Sequence, residues 1–444
     1  MDNRAMKSVS TKQISIAKTA KKYPREAITV LHPYLDEHWL WEASNRVRKD
    51  GALGVDNQTH ADYQNGKAER LKALLSKAKD GSYRAPPVRR VYIPKGNGES
   101  RGIGIPTYED KILQRAVVML LEPIYEGEFH DFSFGFRTGK SADQALDYLH
   151  RQCYQQEVSY ILDVDVRKYF DMIDHRHLRE ILDQRVRDGV LRRLIDKWLK
   201  AGVWEEGRVH TPETGSPQGG VISPVLSNIY LHTVLDEWYV TEIREQLEGK
   251  SLLVRYADDF VIGFSDKSDA ENFQQQLKER FANYGLEIHR SKTRLVRFKR
   301  PSKYTGSDKP KPGSFDFLGF THYWGISRKG NNVVCRKTSV KGFTRSLKAI
   351  KEWGWKNRSL PLKQQQEQIN RKLMGHYNYY GITGNIRSLN RLRIEVQKKW
   401  RNWLGRRTRK GRANWKAFNS LLRNYPLVMP KIAHGDKPLS ESII

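Results

Sequence analysis

Two adjacent carboxylates inside an apolar strand pattern constrain this chain more than any other feature. In Tyr256-Ala257-Asp258-Asp259 the pair sits between alternating apolar residues, Leu252 and Val254 before it and Phe260, Ile262 and Phe264 after it. That alternation is the mark of β-strands, and it puts the aspartates at the turn of a hairpin. Side-by-side negative charges on a hydrophobic sheet are costly unless something positive shares the site, so the pattern predicts a bound divalent metal. An isolated Asp pair at a turn is more often merely solvated, and the case rests on what else the chain carries.

A second acidic site, Asp163-Val164-Asp165-Val166-Arg167-Lys168-Tyr169-Phe170-Asp171, follows Tyr160-Ile161-Leu162. Strand alternation puts Asp163 and Asp165 on one face and Leu162 and Val164 on the other, and spacing alone does not choose between the two aspartates. One of them joined to the Asp258 pair gives carboxylates from two adjacent strands, the donor set of a two-Mg²⁺ site with ions ~3.5–4 Å apart. One ion lowers the pKa of an attacking hydroxyl while the other stabilises a leaving phosphate oxygen, which is polymerase chemistry. Between the acidic sites runs Gly215-Ser216-Pro217-Gln218-Gly219-Gly220-Val221-Ile222-Ser223-Pro224. Its glycines permit close backbone approach. Ser223 is expected to cap a helix with Pro224 at its first position, and Leu226, Ile229, Tyr230 and Val234 to give that helix an apolar face. A loop of this kind can lie against a templating base or an incoming nucleotide; taken alone it could equally be a structural turn.

The charge balance agrees with such a substrate. Lys and Arg number 79 against 50 Asp and Glu, a net +29 spread over most of the 444 residues, which favours DNA or RNA over an anionic membrane surface. The longest apolar run, Ala116 to Leu121, falls far short of the ~20 residues that span a bilayer. Cys153 and Cys335 form no CxxC or Cys/His cluster, which excludes the usual structural zinc patterns and makes a reduced, cytosolic setting the default. The basic, Ser/Thr-rich N-terminus has no apolar segment of signal-peptide length and reads as a mobile nucleic-acid-binding arm, with a transit peptide as the weaker alternative.

Length allows two or three packed units with real cores. Residues up to about 60 read as helical and polar, ending at the turn Gly51-Ala52-Leu53-Gly54-Val55-Asp56. β-like runs from Val88 to Ile105 surround Lys95-Gly96-Asn97-Gly98 and predict a hairpin. Thr107 and Asp110 make a capping-box pattern before an apolar face through Ile112, Val117 and Leu120, with Pro123 expected after the helix end. Strands and helices alternate irregularly to about residue 325, which predicts an α+β fold. Lys299 to Gly313 reads as an exposed loop, and past residue 340 the pattern is helical. Leu373, Tyr377 and Tyr380 form a core-facing stripe on a helix ending at Gly381. Twelve Lys/Arg lie between Arg387 and Lys416 against one acid, Glu395, with Trp400, Trp403 and Trp415 interleaved. Trp400 and Trp403 are expected in the core, and the charges on nucleic acid.

These residues, in this order, resemble the reverse transcriptase/maturases encoded by group II introns. The resemblance runs from about Gly51 to near Pro430 through GVD at 54–56, RGIGIPT at 101–107, FSFGFRTGKS at 132–141, DVDVRKYFD at 163–171, GSPQGGVISPVLSNIYL at 215–231, YADD at 256–259 and FLGF at 317–320. It implies a right-hand polymerase fold: an N-terminal basic helical extension at 1–60, fingers and palm at 61–325, a helical thumb (maturase domain X) at 326–384, and a basic DNA/RNA-binding region at 385–444. It also implies an RNA-directed DNA polymerase that takes an RNA template, a DNA primer or target and dNTPs, and that binds the intron RNA to aid splicing and mobility. Two Mg²⁺ ions, replaceable by Mn²⁺, are the implied cofactors. A bacterial cytoplasm, with nucleoid association on DNA, is the implied location.

Residue by residue, the resemblance implies that Asp165 is a metal ligand, leaving Asp163 as support, and that Asp258 is the other principal ligand, with Asp259 and Val166 in the same metal set. Phe170 matches the bulky position that excludes a ribose 2′-hydroxyl. Lys95 and Arg101 match residues that hold the triphosphate, and Gln218 one beside nucleotide and template. Lys292 matches a lysine that could protonate the leaving pyrophosphate. Phe317-Leu318-Gly319 looks like the primer grip, and Arg406, Arg407, Arg409, Lys410 and Arg412 resemble the DNA-binding region. Ser216 stands where Thr is usual, Thr138 where Pro is usual and Arg167 where Lys is frequent; none removes a metal ligand, and an active enzyme is expected. The missing cysteines imply that the HNH endonuclease of many relatives is absent, so mobility would need a primer from elsewhere. The competing readings are a host-serving reverse transcriptase in phage defence or DNA repair, a non-catalytic RNA-binding splicing factor, which predicts decayed acidic residues, and an RNA-templated RNA polymerase, against which Phe170 argues.

Overall fold

Strands form where the sequence alternates, and helices where apolar residues recur every three or four positions. The computed structural model describes residues 3–94, 100–210, 214–215, 219–301, 312–327, 329–406 and 414–433, with side chains from residue 9 onward. Its strands are β1 (Val88–Pro94), β2 (Ser100–Ile105), β3 (Tyr160–Val164), β4 (Val203–Glu205), β5 (Arg208–His210), β6 (Ser251–Tyr256), β7 (Asp259–Phe264), β8 (Arg294–Arg297), β9 (Phe315–Phe317), β10 (Phe320–Ile326) and β11 (Asn332–Thr338). They make three sheets, ordered β2-β1-β4-β5, β6-β7-β3-β8 and β11-β10-β9, and the rest is mainly helix. The mixed helix and sheet composition agrees with the α+β expectation.

The sheet β6-β7-β3-β8 is antiparallel throughout, with Val254 opposite Val261 and Val164 opposite Phe260. Both of its faces are buried. Leu253, Phe260, Ile262, Leu162 and Val164 enter one hydrophobic cluster with Phe273, Leu277 and Phe281 of helix Lys267–Asn283. Leu252, Val254, Val261 and Ile161 enter a second with Ala145, Leu146 and Leu149 of helix Ala142–Gln155. The apolar residues read as one alternating set are therefore divided between two cores. Cross-strand partners share a face, and the two-residue turn sends Val254 and Phe260 to opposite sides.

Three expectations are corrected. The N-terminus is no mobile arm over its described length: helix Asn3–Lys22 packs on helix Tyr108–Tyr125 and buries Val9, Ile16 and Ala20. The Trp39 indole donates to the Ala116 carbonyl (2.9 Å), so helix Glu37–Arg46 docks on the same element. Pro123 lies inside helix Tyr108–Tyr125, because burial of Ile124 and Tyr125 outweighs the one lost hydrogen bond near the helix end. Ser223 is the first residue of helix Ser223–Leu231; Ile222 holds the cap position without a side-chain cap, and its amide donates to Gln114 Oε1 (3.3 Å). Leu226, Ile229, Tyr230 and Val234 are buried as expected.

The hairpin expected between Val88 and Ile105 forms, with Pro94 opposite Ser100; its turn residues 95–99 lie outside the described residues, as do 302–311 of the expected loop. No helix among the described residues is long and apolar enough to cross a membrane. The second cluster continues past residue 325 without a break, through Phe317, Phe320 and Val334 into helices Val340–Lys356, Leu362–Tyr380 and Ile386–Gly405. Leu373, Tyr377 and Tyr380 are buried there, and helix Leu362–Tyr380 stops before Gly381. Trp400 and Trp403 are core residues, and the fully buried Trp400 indole donates to Gln365 Oε1 (2.9 Å). Trp400→Ala is expected to cost about 3–5 kcal/mol. Earlier loss of hydrogen-exchange protection in the two helices that flank it would check this.

Candidate active site

Asp258 is the second residue of the β6–β7 turn, and Asp259 opens β7 opposite Tyr256. Ala257, the first turn residue, has φ +58°, a conformation that costs a non-glycine residue roughly 1–2 kcal/mol. A buried clamp holds it there. The Arg255 and Asp236 side chains are both 0% exposed, and Arg255 Nε lies 2.8 Å from Asp236 Oδ1. Arg255 Nη1 also donates to Asn228 Oδ1 (2.9 Å) and to the Ala257 carbonyl (3.2 Å). Asn228 Nδ2 donates to the Gly135 carbonyl (2.6 Å), and backbone bonds join Phe132 and Phe134 to Arg255 (2.9 and 2.8 Å). A Cβ on Gly135 would stand 2.2 Å from the Ala257 nitrogen, so only glycine lets this segment press against the turn. Burial opposes ionisation of Asp236, and the Arg255 guanidinium outweighs it, holding the carboxyl below its ordinary value.

The two aspartates that spacing left equivalent have different surroundings. Asp163 Oδ2 accepts from Arg294 Nη2 of β8 (3.0 Å). Asp165 lies just past β3, with its carbonyl accepting from His289 N (2.7 Å), its amide donating to Thr293 Oγ1 (3.3 Å) and Val166 bridged to Ile288. Its carboxylate faces Lys292 Nζ at 3.7 Å, and both side chains are about half exposed.

Burial disfavours the charged form of both turn carboxylates. Burial pushes Asp258 up and the Asp165 charge adds to it, against Arg101 and Arg255, which pull it down. Asp259 opens to solvent along one edge, but dense protein walls its carboxyl; that burial, with Asp258, Asp163 and Asp165 nearby, raises it to about 7 against one hydrogen bond from the Leu318 amide. Carboxylate oxygens whose charge is disfavoured by burial, with no softer donor beside them, fit a hard divalent cation. Asp165, Asp258 and Asp259 do not all bring ligand atoms within 4.8 Å of one another.

The surrounding expected residues are positioned by specific contacts. Tyr169 donates to the Ser227 carbonyl (2.7 Å), fixing the short helix Tyr169–Met172, and half-buried Phe170 packs against the main core. Gly215 (φ +93°) seats the start of the glycine-rich loop on Phe170 and Asp171, where a Cβ would meet backbone at 3.0 Å. Gly219 (φ +110°) lies against Gly104 of β2, the strand that carries Arg101. Leu318 and Gly319 turn between β9 and β10 with φ +48° and +78°, a two-residue hairpin turn. The Tyr379 hydroxyl donates to the Leu318 carbonyl (2.9 Å). Arg406 lies away from the aspartates, stacked on Trp355 (5.0 Å). Lys95, Gln218, Arg407, Arg409, Lys410 and Arg412 lie outside the described residues.

Arg255, Asp236, Asn228 and Gly135 were not singled out from the sequence. The available signal was an arginine inside an apolar strand, which needs a buried partner wherever it points inward.

A family model described as reverse transcriptase (RNA-dependent DNA polymerase) matches residues 93–322. Protein YkfC of Escherichia coli (strain K12) is 37% identical over 255 residues, 50% of this chain and 67% of that protein. Group II intron-encoded protein LtrA of Lactococcus lactis subsp. cremoris is 30% identical over 392 residues, 72% of this chain and 65% of LtrA. Nuclear intron maturase 4, mitochondrial, of Arabidopsis thaliana is 27% identical over 146 residues, 33% of this chain and 18% of that protein. The chain thus spans about two thirds of the length of the first two relatives.

Arg255→Met is expected to destabilise the fold by about 3–5 kcal/mol, because it strands the Asp236 charge, and Arg255→Met/Asp236→Leu to recover most of that loss. Denaturant titration of both variants checks it; a single variant as stable as wild type would mean that the clamp carries little.

Proposed function

The chain belongs to the reverse transcriptase (RNA-dependent DNA polymerase) family, in its group II intron-encoded branch, and on that premise we propose that it copies RNA into DNA and binds intron RNA to aid splicing and mobility. One observation carries the reading most: burial raises the proton affinity of Asp258 and Asp259 at the β6–β7 turn, and the charge of Asp165, past neighbouring β3, adds to it at both. In this reading β6-β7-β3-β8 is the palm, β2-β1-β4-β5 with the N-terminal helices the fingers, and the helices from Val340 to Gly405 the thumb.

Asp165, Asp258 and Asp259 would hold Mg²⁺ through carboxylates, and Val166 through its carbonyl, the one free oxygen a valine offers. The ions, when bound, would favour ionisation of the primer 3′-hydroxyl and stabilise charge on the departing pyrophosphate. Asp163, occupied by Arg294, supports the strand end. Arg101, which acts on Asp258, and Lys95 bind the triphosphate, and Lys292, 3.7 Å from Asp165, donates a proton to the pyrophosphate oxygen. The Phe170 ring excludes the 2′-hydroxyl, Gln218 lies beside nucleotide and template, and the Phe317–Gly319 turn supports the primer. Arg406, Arg407, Arg409, Lys410 and Arg412 neutralise nucleic-acid phosphates. The setting is the bacterial cytoplasm, at the nucleoid when on DNA.

Primer extension on an RNA template with dNTPs and Mg²⁺ tests the reading. Asp258→Ala is expected to lose at least about 10²–10³-fold in rate while RNA binding stays near wild type. An Asp258→Ala protein that extends normally would sink the assignment.

Asp259 adds a pH signature. Its folded carboxyl titrates at about 7 against an ordinary 3.8, so between these values the metal-free folded chain keeps a proton that the unfolded chain has lost. The stability contributed by this group therefore falls as pH rises toward 7. Cations must displace the same proton, so divalent affinity rises over that span. Asp259→Asn is expected to flatten this pH dependence and raise the melting temperature of chelator-treated protein at slightly alkaline pH, read by scanning calorimetry.

A further inference from the structure

Beyond the Arg255–Asp236 pair, away from the aspartates, His130, His232 and Glu237 turn ligand atoms toward one another, all within 4.8 Å. His130 Nε2 is 2.7 Å and His232 Nε2 3.5 Å from the same Glu237 Oε1. The two imidazole rings are 5.5 Å apart. His232 is only 7% exposed, and its Nδ1 has no hydrogen-bond partner; the nearest acid is Asp236 Oδ2 at 3.7 Å.

The backbone is wound to make this meeting possible. Residues His232–Glu237 form a π-helical segment, and Tyr239–Ile243 form a second. In an α-helix, residues five apart stand about 140° from each other around the axis. The wider i→i+5 winding brings His232 and Glu237 onto one face, and π-helical turns are rare and concentrate at functional sites.

We propose that His130 Nε2, His232 Nε2 and Glu237 Oε1 bind one divalent transition-metal ion, Zn²⁺ foremost, with water in the fourth position. Two imidazoles and a carboxylate are a zinc donor set and suit transition metals over Mg²⁺ or Ca²⁺. Ligand atoms on a tetrahedral Zn²⁺ stand about 3.3 Å apart, and the 2.7 and 3.5 Å contacts to Glu237 bracket that value. With Nε2 on the ion, the His232 Nδ1–H faces Asp236, the outer-shell carboxylate that metal-bound histidines ordinarily have. Asp236 is held by Arg255, which donates to the Ala257 carbonyl. Glu128, paired with Arg185, lies close enough to interact with His232 and Glu237 and adds negative charge. Through His232, Asp236 and Arg255 the ion stiffens the turn that carries Asp258. The site stands independently of the polymerase reading.

The test uses the full chain, stripped by chelator and titrated with Zn²⁺ and Co²⁺. One Zn²⁺ per chain is expected, retained in Asp165→Asn/Asp258→Asn, with a tetrahedral Co²⁺ absorption spectrum and a Zn²⁺-dependent rise in melting temperature. His130→Ala and Glu237→Gln should each lower Zn²⁺ affinity by more than the roughly 10–100-fold that an outer-shell loss costs. His130 is part-exposed, so its replacement leaves the core intact, and His130→Cys should restore binding and add a thiolate-to-cobalt charge-transfer band. If the three groups are only a hydrogen-bonded cluster, wild type binds no stoichiometric Zn²⁺, or binds it equally well with both ligands replaced; either result overturns the proposal.

Discussion

The buried Arg255–Asp236 ion pair is the interaction on which the acidic site depends. Arg255, one residue before the end of β6, turns its guanidinium into the protein, where it reaches three separate elements: the turn, helix Ser223–Leu231 through Asn228, and the π-helical segment through Asp236; Asn228 and the Arg255 backbone tie in the 132–135 segment. Desolvating both charges makes the pair a poor source of net stability. What it supplies is position. A turn with a left-handed alanine and two carboxylates would relax if left to local preference, and the guanidinium fixes its carbonyl from below.

The same logic explains why the glycines here matter. Gly135, Gly215 and Gly219 each stand where a Cβ would strike backbone or a neighbouring strand at 3.0 Å or less. Together they let the 132–135 segment and the glycine-rich loop approach the acidic turn, the short helix at Phe170 and strand β2. The site is assembled by close backbone contact, with side chains supplying charge.

Much of this was legible in the sequence, for physical reasons that also mark where reading failed. Strand alternation, helix stripes and the hairpin at Val88–Ile105 are short-range signals and emerged as expected. The division of Leu252 and Phe260 between two cores did not, because alternation reveals which residues are apolar without saying whether one face or both is covered. Val9, Ile16 and Ala20 form a thin stripe in a polar helix, and the strong positive charge around them suggested solvent where there is packing. Pro123 reads as a terminator because local preference ends helices there, while the buried Ile124 and Tyr125 show tertiary packing prevailing for two residues more. His130 and Glu237 are 107 residues apart, and an unusual backbone winding is needed to align Glu237 with His232; no local spacing announces such a meeting.

The second hydrophobic cluster runs unbroken from Ile161 and Val254, on the back of the acidic sheet, through Phe320 to Tyr380 and Trp400 in the helical part of the chain. Swinging those helices away would expose that apolar surface at about 25 cal/mol per Å². On the proposed function, the consequence is a nucleic-acid grip that moves with the acidic sheet as one solid and does not hinge away from it between additions.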